Sequence, residues 1–442
     1  MNEEINNSAV ITEGVEAMDV VNRPLSEHLQ NGITAGEAVE LLRQNDCVAF
    51  PQLRSGLFPA ANFDNLETDE TGMANAWLRD SACIGLQLLK VGDNELAGRA
   101  ASGILRCLNS IRPNLKEAIA AGDIAQHDNL RPPIRFTGQD SEPLNEWANA
   151  QNDALGYGLL FIGTAAKADV CSPNDEDLAT IEDVVRYLDK VEYWQDADSG
   201  HWEELKKVNA SSIGTAVSGL TAVEELVQDK QLVQQLIGKG REALGTILPN
   251  ESLTPGVERD HDSALIFLVQ PQNILDPEMA ARVIQDAQQY LMGEHGFRRY
   301  NGDSYWGPDY REHFLVGDRA ADFSQPEDMA RRDSYTFPGG EAQWTIFDPM
   351  VAAYYSKQYQ VTGSPEDAAQ AKKFMARSLD AIIEHPKSDG TVVWRLPELF
   401  FLEKGQWVPN DHLGLLWGQA NLLAGLSAYH DAFGDEPIKL EI

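Results

Sequence analysis

Residues 147–167 read WANAQNDALGYGLLFIGTAAK, and residues 175–192 read DEDLATIEDVVRYLDKVE. The first run is mostly apolar, with Leu155, Leu159, Leu160, Phe161 and Ile162. The second places Leu178, Ile181, Val185 and Leu188 on one face and charges on the other. A helix that is apolar all round lies inside a core, and a striped helix covers it from outside. The two segments therefore read as a helical hairpin, inner member first.

The same alternation recurs along the chain. Inner and outer runs pair as 75–90 with 94–112, 210–227 with 231–247, 260–270 with 277–292, and 342–360 with 365–384. Three outer helices are expected to begin with a capping side chain before proline, at Ser172-Pro173, Asp276-Pro277 and Ser364-Pro365; proline's fixed φ suits the first helical position. Five hairpins thus follow one another. An apolar helix at 411–430 lacks a successor. A short helix at 35–45, opened by the capping box Thr34-Ala35-Gly36-Glu37, lacks a predecessor. Pairing the two closes a ring of six, an all-α (α/α)6 barrel. The alternatives are an open solenoid and an irregular helical domain, neither of which explains why the leftover ends match. Residues 1–33, polar and acidic, read as a flexible arm, 34–435 as a single barrel domain, and 436–442 as a tail. Residues 47–53 read as a brief extended run, and strand-like runs are few, mainly near Val392-Val393-Trp394.

The 442 residues carry 69 acidic and 35 basic side chains, a formal charge of -34. Such a field repels polyphosphate, which argues against nucleic acid and anionic membranes as partners and leaves room for a neutral ligand. Cys47, Cys83, Cys107 and Cys171 show neither CxxC pairing nor metal spacing, so neither a metal nor another cofactor is expected. No run approaches the roughly 20 apolar residues of a membrane span, and the N-terminus lacks a signal-peptide pattern. A cytoplasmic protein is the expectation. Oligomeric state is not legible.

In a closed ring all inner helices run parallel, so their N-terminal ends meet at one mouth. There the sequence puts Trp77-Leu78-Arg79-Asp80, then Trp147 with Gln151-Asn152-Asp153, then Gly200-His201-Trp202-Glu203-Glu204. Asp260-His261-Asp262, Glu341-Ala342-Gln343-Trp344 and Leu396-Pro397-Glu398-Leu399 complete the circle. Tryptophan faces and forked Arg and Asp side chains suit the faces and hydroxyls of a sugar. A carboxyl held against an apolar surface keeps its proton and can donate it near neutral pH. Singly, each motif also has a structural explanation: a surface ion pair beside a core Trp, or a solvated Glu pair at a helix start. Glycoside hydrolysis needs two carboxylates flanking the scissile bond, with a separation of roughly 6.5–9.5 Å for inversion. Glu203 and Glu398 precede different inner helices and are the best pair; Glu204, next to Glu203, points elsewhere.

These motifs, with Asn209-Ala210-Ser211-Ser212 and with His412 and Trp417-Gly418-Gln419, resemble glycoside hydrolase family 15, the glucoamylase family. The last two segments are more similar to the glucoamylase-like domain of phosphorylase kinase α and β subunits. The resemblance covers roughly residues 35–435 and implies a six-hairpin glycosidase barrel with inverting attack of water on α-glucosidic bonds of an α-glucan or oligosaccharide. By motif, Glu203 aligns with the general acid and Glu398 with the general base. Arg79 and Asp80 align with residues holding the terminal glucose, and Trp202 and Glu204 with neighbouring sugar contacts. Trp147 matches a substrate-wall tryptophan; Asp153 belongs to the second motif. Arg299, Glu341 and Trp344 are looser matches. Two departures stand out. Leu205-Lys206-Lys207 intervenes between the Glu pair and the Asn-Ser segment, and the Glu398 segment has the phosphorylase kinase form. The resemblance therefore also admits a glucan-binding regulatory protein, or a hydrolase of another α-glucoside such as trehalose. No starch-binding domain is expected after residue 435 and no β-sandwich before residue 75, which argues against raw granular starch. A kinase glycine loop and an Asp-Phe-Gly triad are both absent.

Overall fold

A computed structural model of the chain describes residues 22–61, 73–122, 124, 128–137, 142–144, 148–314, 321–387 and 389–440. Helices α1 (Arg23–Asn31) and α2 (Ala35–Gln44) lead into the ring. The first hairpin is α3 (Leu78–Lys90) with α4 (Asn94–Ser110), followed by a short α5 (Arg112–Ala120). The second is α6 (Asn152–Lys167) with α7 (Asp175–Lys190), and the third α8 (Ala210–Val223) with α9 (Lys230–Ile247). The fourth pairs a single turn, α10 (Ile266–Val269), with α11 (Pro277–Tyr290). After α12 (Tyr310–His313) and α13 (Pro326–Asp333), the fifth is α14 (Asp348–Thr362) with α15 (Pro365–Asp380). Finally α16 (Leu416–Phe433) packs against both α3 and α2, which closes the barrel. The (α/α)6 ring is therefore complete.

Burial follows the periodicity. In α6 and α8 nearly every residue is buried, whereas α7 and α9 bury one stripe each. Helices α6 and α8 cross closely because glycines meet at the contact: a Cβ on Gly219 would overlap the carbonyl of Gly156.

Four local expectations need correction. Residues 23–31, placed in the flexible arm, form α1, capped by Asn22 and held by the buried Leu25 and Leu29. Helix α7 is capped by Asn174 in a capping box with Asp177, not by Ser172 before Pro173; the reciprocal hydrogen bonds outweigh the proline signal. Of the extended run expected at 47–53, Cys47 and Val48 belong to a turn. The fourth inner helix is shorter than the eleven residues expected, because a 3-10 turn over Ser263–Leu265 leads into the four residues of α10 and Asp260-His261-Asp262 lie on irregular backbone before it. The tail is tied down, since Ile438 and Ile33 exchange backbone hydrogen bonds of 3.0 and 2.8 Å.

Strand content exceeds the expectation. β1 (Ala76–Trp77) pairs with β2 (Arg135–Phe136). β3 (Gln343–Trp344) pairs with β6 (Leu399–Glu403), which forms a hairpin with β7 (Gln406–Pro409). β4 (Ile383–Pro386) pairs with β5 (Val392–Arg395). All pairings are antiparallel. They brace segments that lead into inner helices.

Candidate active site

The N-terminal ends of the inner helices open into one cavity of about 1100 Å³, its mouth included. Arg79, in the first turn of α3, is buried there. A buried guanidinium is costly unless its donors are met. Nη1 donates to Gln151 Oε1 at 2.7 Å and to Asp153 Oδ2 at 2.8 Å, and Nη2 donates to Glu203 Oε1 at 3.0 Å. Gln151 Nε2 donates to the same Glu203 oxygen at 3.1 Å. Burial works to raise the Asp153 pKa, but the Arg79 charge, helped by His201, outweighs it and holds the group ionised. Asp153 is fully buried and supports Arg79 from behind; it does not line the cavity. Asp80 does, and burial pushes it up to about 7 against the opposing charge of Arg79.

The loop between α7 and α8 carries Glu203. Asp198 and Lys207 exchange backbone hydrogen bonds of 3.0 Å in both directions. Asn209 Nδ2 ties the loop from inside, donating to Asp198 Oδ1 at 2.7 Å. The Leu205-Lys206-Lys207 insertion is thus absorbed into a closed hairpin-like turn. Within it Gly200 has φ 60° and Glu203 φ 56°, left-handed conformations that reverse the chain twice in four residues. That bend sends the two glutamates in different directions. Glu203 faces the cavity. Glu204 lies behind it and accepts from Arg299 Nη2 at 2.7 Å, from the Tyr300 hydroxyl at 2.7 Å and from Arg332 Nη2. Burial works to raise the Glu204 pKa. The guanidiniums of Arg299, Arg332 and Arg259 outweigh it and hold the carboxyl well below the usual range.

Trp202 donates its Nε1–H to Asp262 Oδ1 at 2.8 Å, and its ring centroid lies 5.5 Å from that of Trp344. Trp77, with the Arg135 guanidinium 4.6 Å above its ring, lines another part of the cavity. Tyr305 and Trp417 also line it. His201 stacks on Phe267 at 4.8 Å, and burial depresses its pKa to about 4, so it faces the cavity as a neutral ring.

Glu398 reaches the cavity from the foot of the β6–β7 hairpin. Its Oε2 accepts from Asn410 Nδ2 at 2.6 Å and lies 2.8 Å from His412 Nδ1. Asn410 and His412 are two residues apart on the facing segment, so both project to the same side. Their register is fixed by the Glu398 N–H donating to the His412 carbonyl at 3.2 Å.

Of the residues singled out in sequence, Trp77, Arg79, Asp80, Trp202, Glu203, Arg299, Trp344 and Glu398 line one cavity. Glu204 and Asp153 stand behind it. Glu341 does not reach it. That carboxylate accepts from the N–H groups of Gly302 and Gly339, both at 2.9 Å, and joins two loops. Trp147 lies outside the described residues. Sequence reasoning missed Arg332, Tyr305, Arg135 and Asn410, and named His412 in the motif after Glu398 without giving it a role. The two-residue spacing of Asn410 and His412, just beyond the end of β7, was the available signal for their shared side. Among the described residues no cluster of His, Cys, Asp and Glu is arranged to hold a metal, and no helix is long and apolar enough to cross a membrane.

Comparison with known proteins places these features in context. Residues 41–313 match the family model described as glycosyl hydrolases family 15. The probable phosphorylase b kinase regulatory subunit alpha of Caenorhabditis elegans is 27% identical over 180 residues, 36% of this chain and 14% of the relative. The chain thus spans a small part of that relative's length. Among solved structures, a wild-type glycosidase superposes with TM-score 0.62 at 19% identity, covering 94% of this chain and 99% of the other. The glucoamylase of Saccharomycopsis fibuligera gives TM-score 0.54 at 15% identity, covering 94% and 97%. At such identities the superpositions speak for the fold.

Proposed function

The chain belongs to glycosyl hydrolases family 15, and from that premise we propose that it is an inverting, exo-acting α-glucosidase acting on soluble α-glucans or oligosaccharides. The observation that carries this reading is that Glu203 and Glu398 reach one cavity from separate, independently braced segments. Glu203 gives its proton to the glycosidic oxygen as the bond to the anomeric carbon breaks. Glu398 takes a proton from the water whose oxygen bonds that carbon from the opposite face. The sugar leaves with inverted configuration. Arg79 and Asp80 hold hydroxyls of the terminal glucose, while Trp202 and Trp344 supply apolar walls. Arg299, held against Glu204, faces the same sugar-binding space. Such a ligand is neutral, which suits a protein of charge -34.

The test is to incubate the purified protein with maltose to maltoheptaose, isomaltose, nigerose and trehalose and to follow the anomer by NMR. β-Glucose appearing first supports the reading. An initial excess of α-glucose from maltotriose or longer chains, or no sugar from any substrate, overturns it. Glu203→Gln is expected to lower kcat by about 10²–10⁴-fold. A second reading is a glucan-binding regulatory protein, favoured by the likeness to a kinase regulatory subunit. It predicts calorimetric binding of maltooligosaccharides without release of glucose.

A further inference from the structure

Glu398 is held asymmetrically. Asn410 Nδ2 and His412 Nδ1 both approach Oε2, at 2.6 and 2.8 Å. No described residue donates to Oε1, and the carboxylate borders the cavity. Two contacts on one oxygen fix the plane of the carboxylate and leave the other oxygen to address a water molecule. His412 is itself confined: Asn410 and His412 leave the hairpin on one face, and the ring edge meets the indole of Trp306 at 5.9 Å. The Trp306 indole is buried, so that wall is rigid.

We propose that His412, seconded by Asn410, is a positioning residue for the water-activating step, fixing Glu398 through an Nδ1–H···Oε2 hydrogen bond so that Oε1 receives the proton of the attacking water. The inference rests on the reading of Glu398 as the base. In the step, the water O–H bond breaks, its proton passes to Oε1, and the water oxygen bonds the anomeric carbon as the glycosidic bond opens. His412 neither gains nor loses a proton. It requires the tautomer with hydrogen on Nδ1, because a carboxylate offers Oε2 as an acceptor.

Three proteins separate this from a packing role: the wild type, His412→Asn and His412→Leu. An asparagine amide nitrogen occupies nearly the place of imidazole Nδ1 and can donate to Oε2, whereas leucine fills the volume and donates nothing. A misplaced base costs rate without costing binding. His412→Leu is therefore expected to lower kcat by about 10–100-fold with KM within about threefold, and His412→Asn to recover most of that loss. Binding of a piperidine sugar mimic, followed by calorimetry, shows that each cavity is intact. The proposal is overturned if His412→Leu turns over like the wild type, or if His412→Asn falls as far as His412→Leu while binding the mimic normally. If the wild type itself releases no sugar, the reading of Glu398 as a base fails and this inference falls with it. If the wild type is active and only the histidine series disagrees, the assignment of Glu398 stands alone.

Discussion

Glu203 and Glu398 border the same cavity, yet the two segments that present them are built on different physics. The loop of Glu203 is bent left-handed and gripped by a guanidinium that is itself held by a buried carboxylate, Asp153. The foot of the β6–β7 hairpin is gripped by an amide and an imidazole, with backbone register supplying the precision. One carboxylate is positioned by a guanidinium network and the other by an amide and an imidazole. Charged supports are strong but costly to break, because their partners are stranded in a dry interior. The Asn410 amide is a neutral support, and losing it removes one hydrogen bond while Glu398 keeps its contact with His412.

The contrast breaks most sharply on chemistry. α-Glucosyl fluoride carries a leaving group that needs no proton. Glu203→Gln should keep most of its activity on the fluoride while losing about 10²–10⁴-fold on maltose. Glu398→Gln should lose both. Azide, a nucleophile that needs no base, should restore turnover of the fluoride to Glu398→Ala and leave Glu203→Ala unaffected. The opposite pattern would exchange the two roles.

Stability sharpens the same comparison. Arg79→Met strands Asp153, which has no exposure at all, and should cost about 3–5 kcal/mol in urea unfolding. Asn410→Ala removes one neutral donor and should cost about 1–2 kcal/mol. Equal losses would mean that the Arg79 network is less charged than its geometry implies.

These two segments also differ in how much of them the sequence discloses. Helices of the ring are visible because burial imposes a period: α6 is apolar all round and α7 is striped. The mouth residues follow from the parallel inner helices, and opposite pointing of Glu203 and Glu204 follows from adjacency. The β6–β7 hairpin is harder to read. Its turn is Lys404-Gly405, with φ of 52° and 78°, and such turns are usually signalled by Asn-Gly or Asp-Gly. Without that signal, nothing shows that Asn410 and His412 fold back onto Glu398, although His412 stands in the same motif. Nor does anything local connect Glu204 with Arg332, 128 positions away. Long-range ion pairs leave no periodic trace. Glu341 shows the reverse, since its place before the fifth inner helix and a loose family match suggested a cavity position, whereas its carboxylate is held by two backbone N–H groups.

A pH-dependent effect concerns Asp80, which neighbours both carboxylates. Burial raises its pKa from 3.8 to about 7, with the charges of Glu203 and Glu398 adding and Arg79 opposing. The folded chain then holds this proton more tightly than the unfolded chain between pH 4 and 7. A group with a raised folded pKa contributes fully at low pH, and its contribution declines as pH rises through that window. Asp153 and Glu204 are held below their ordinary values, so what they contribute disappears only under more acidic conditions. Asp198, at about 7, and Asp262, at about 6, also lie in the window, but they are common to both proteins being compared. Asp80→Asn removes one titration and leaves the rest. Unfolding free energies of wild type and variant, measured in urea at pH 5 and pH 8, should therefore diverge in the variant's favour as pH rises, by on the order of 3 kcal/mol. A constant difference between the two pH values would mean that Asp80 ionises at its ordinary value. The carboxylate would then be reached by water and answer to neither segment's charge.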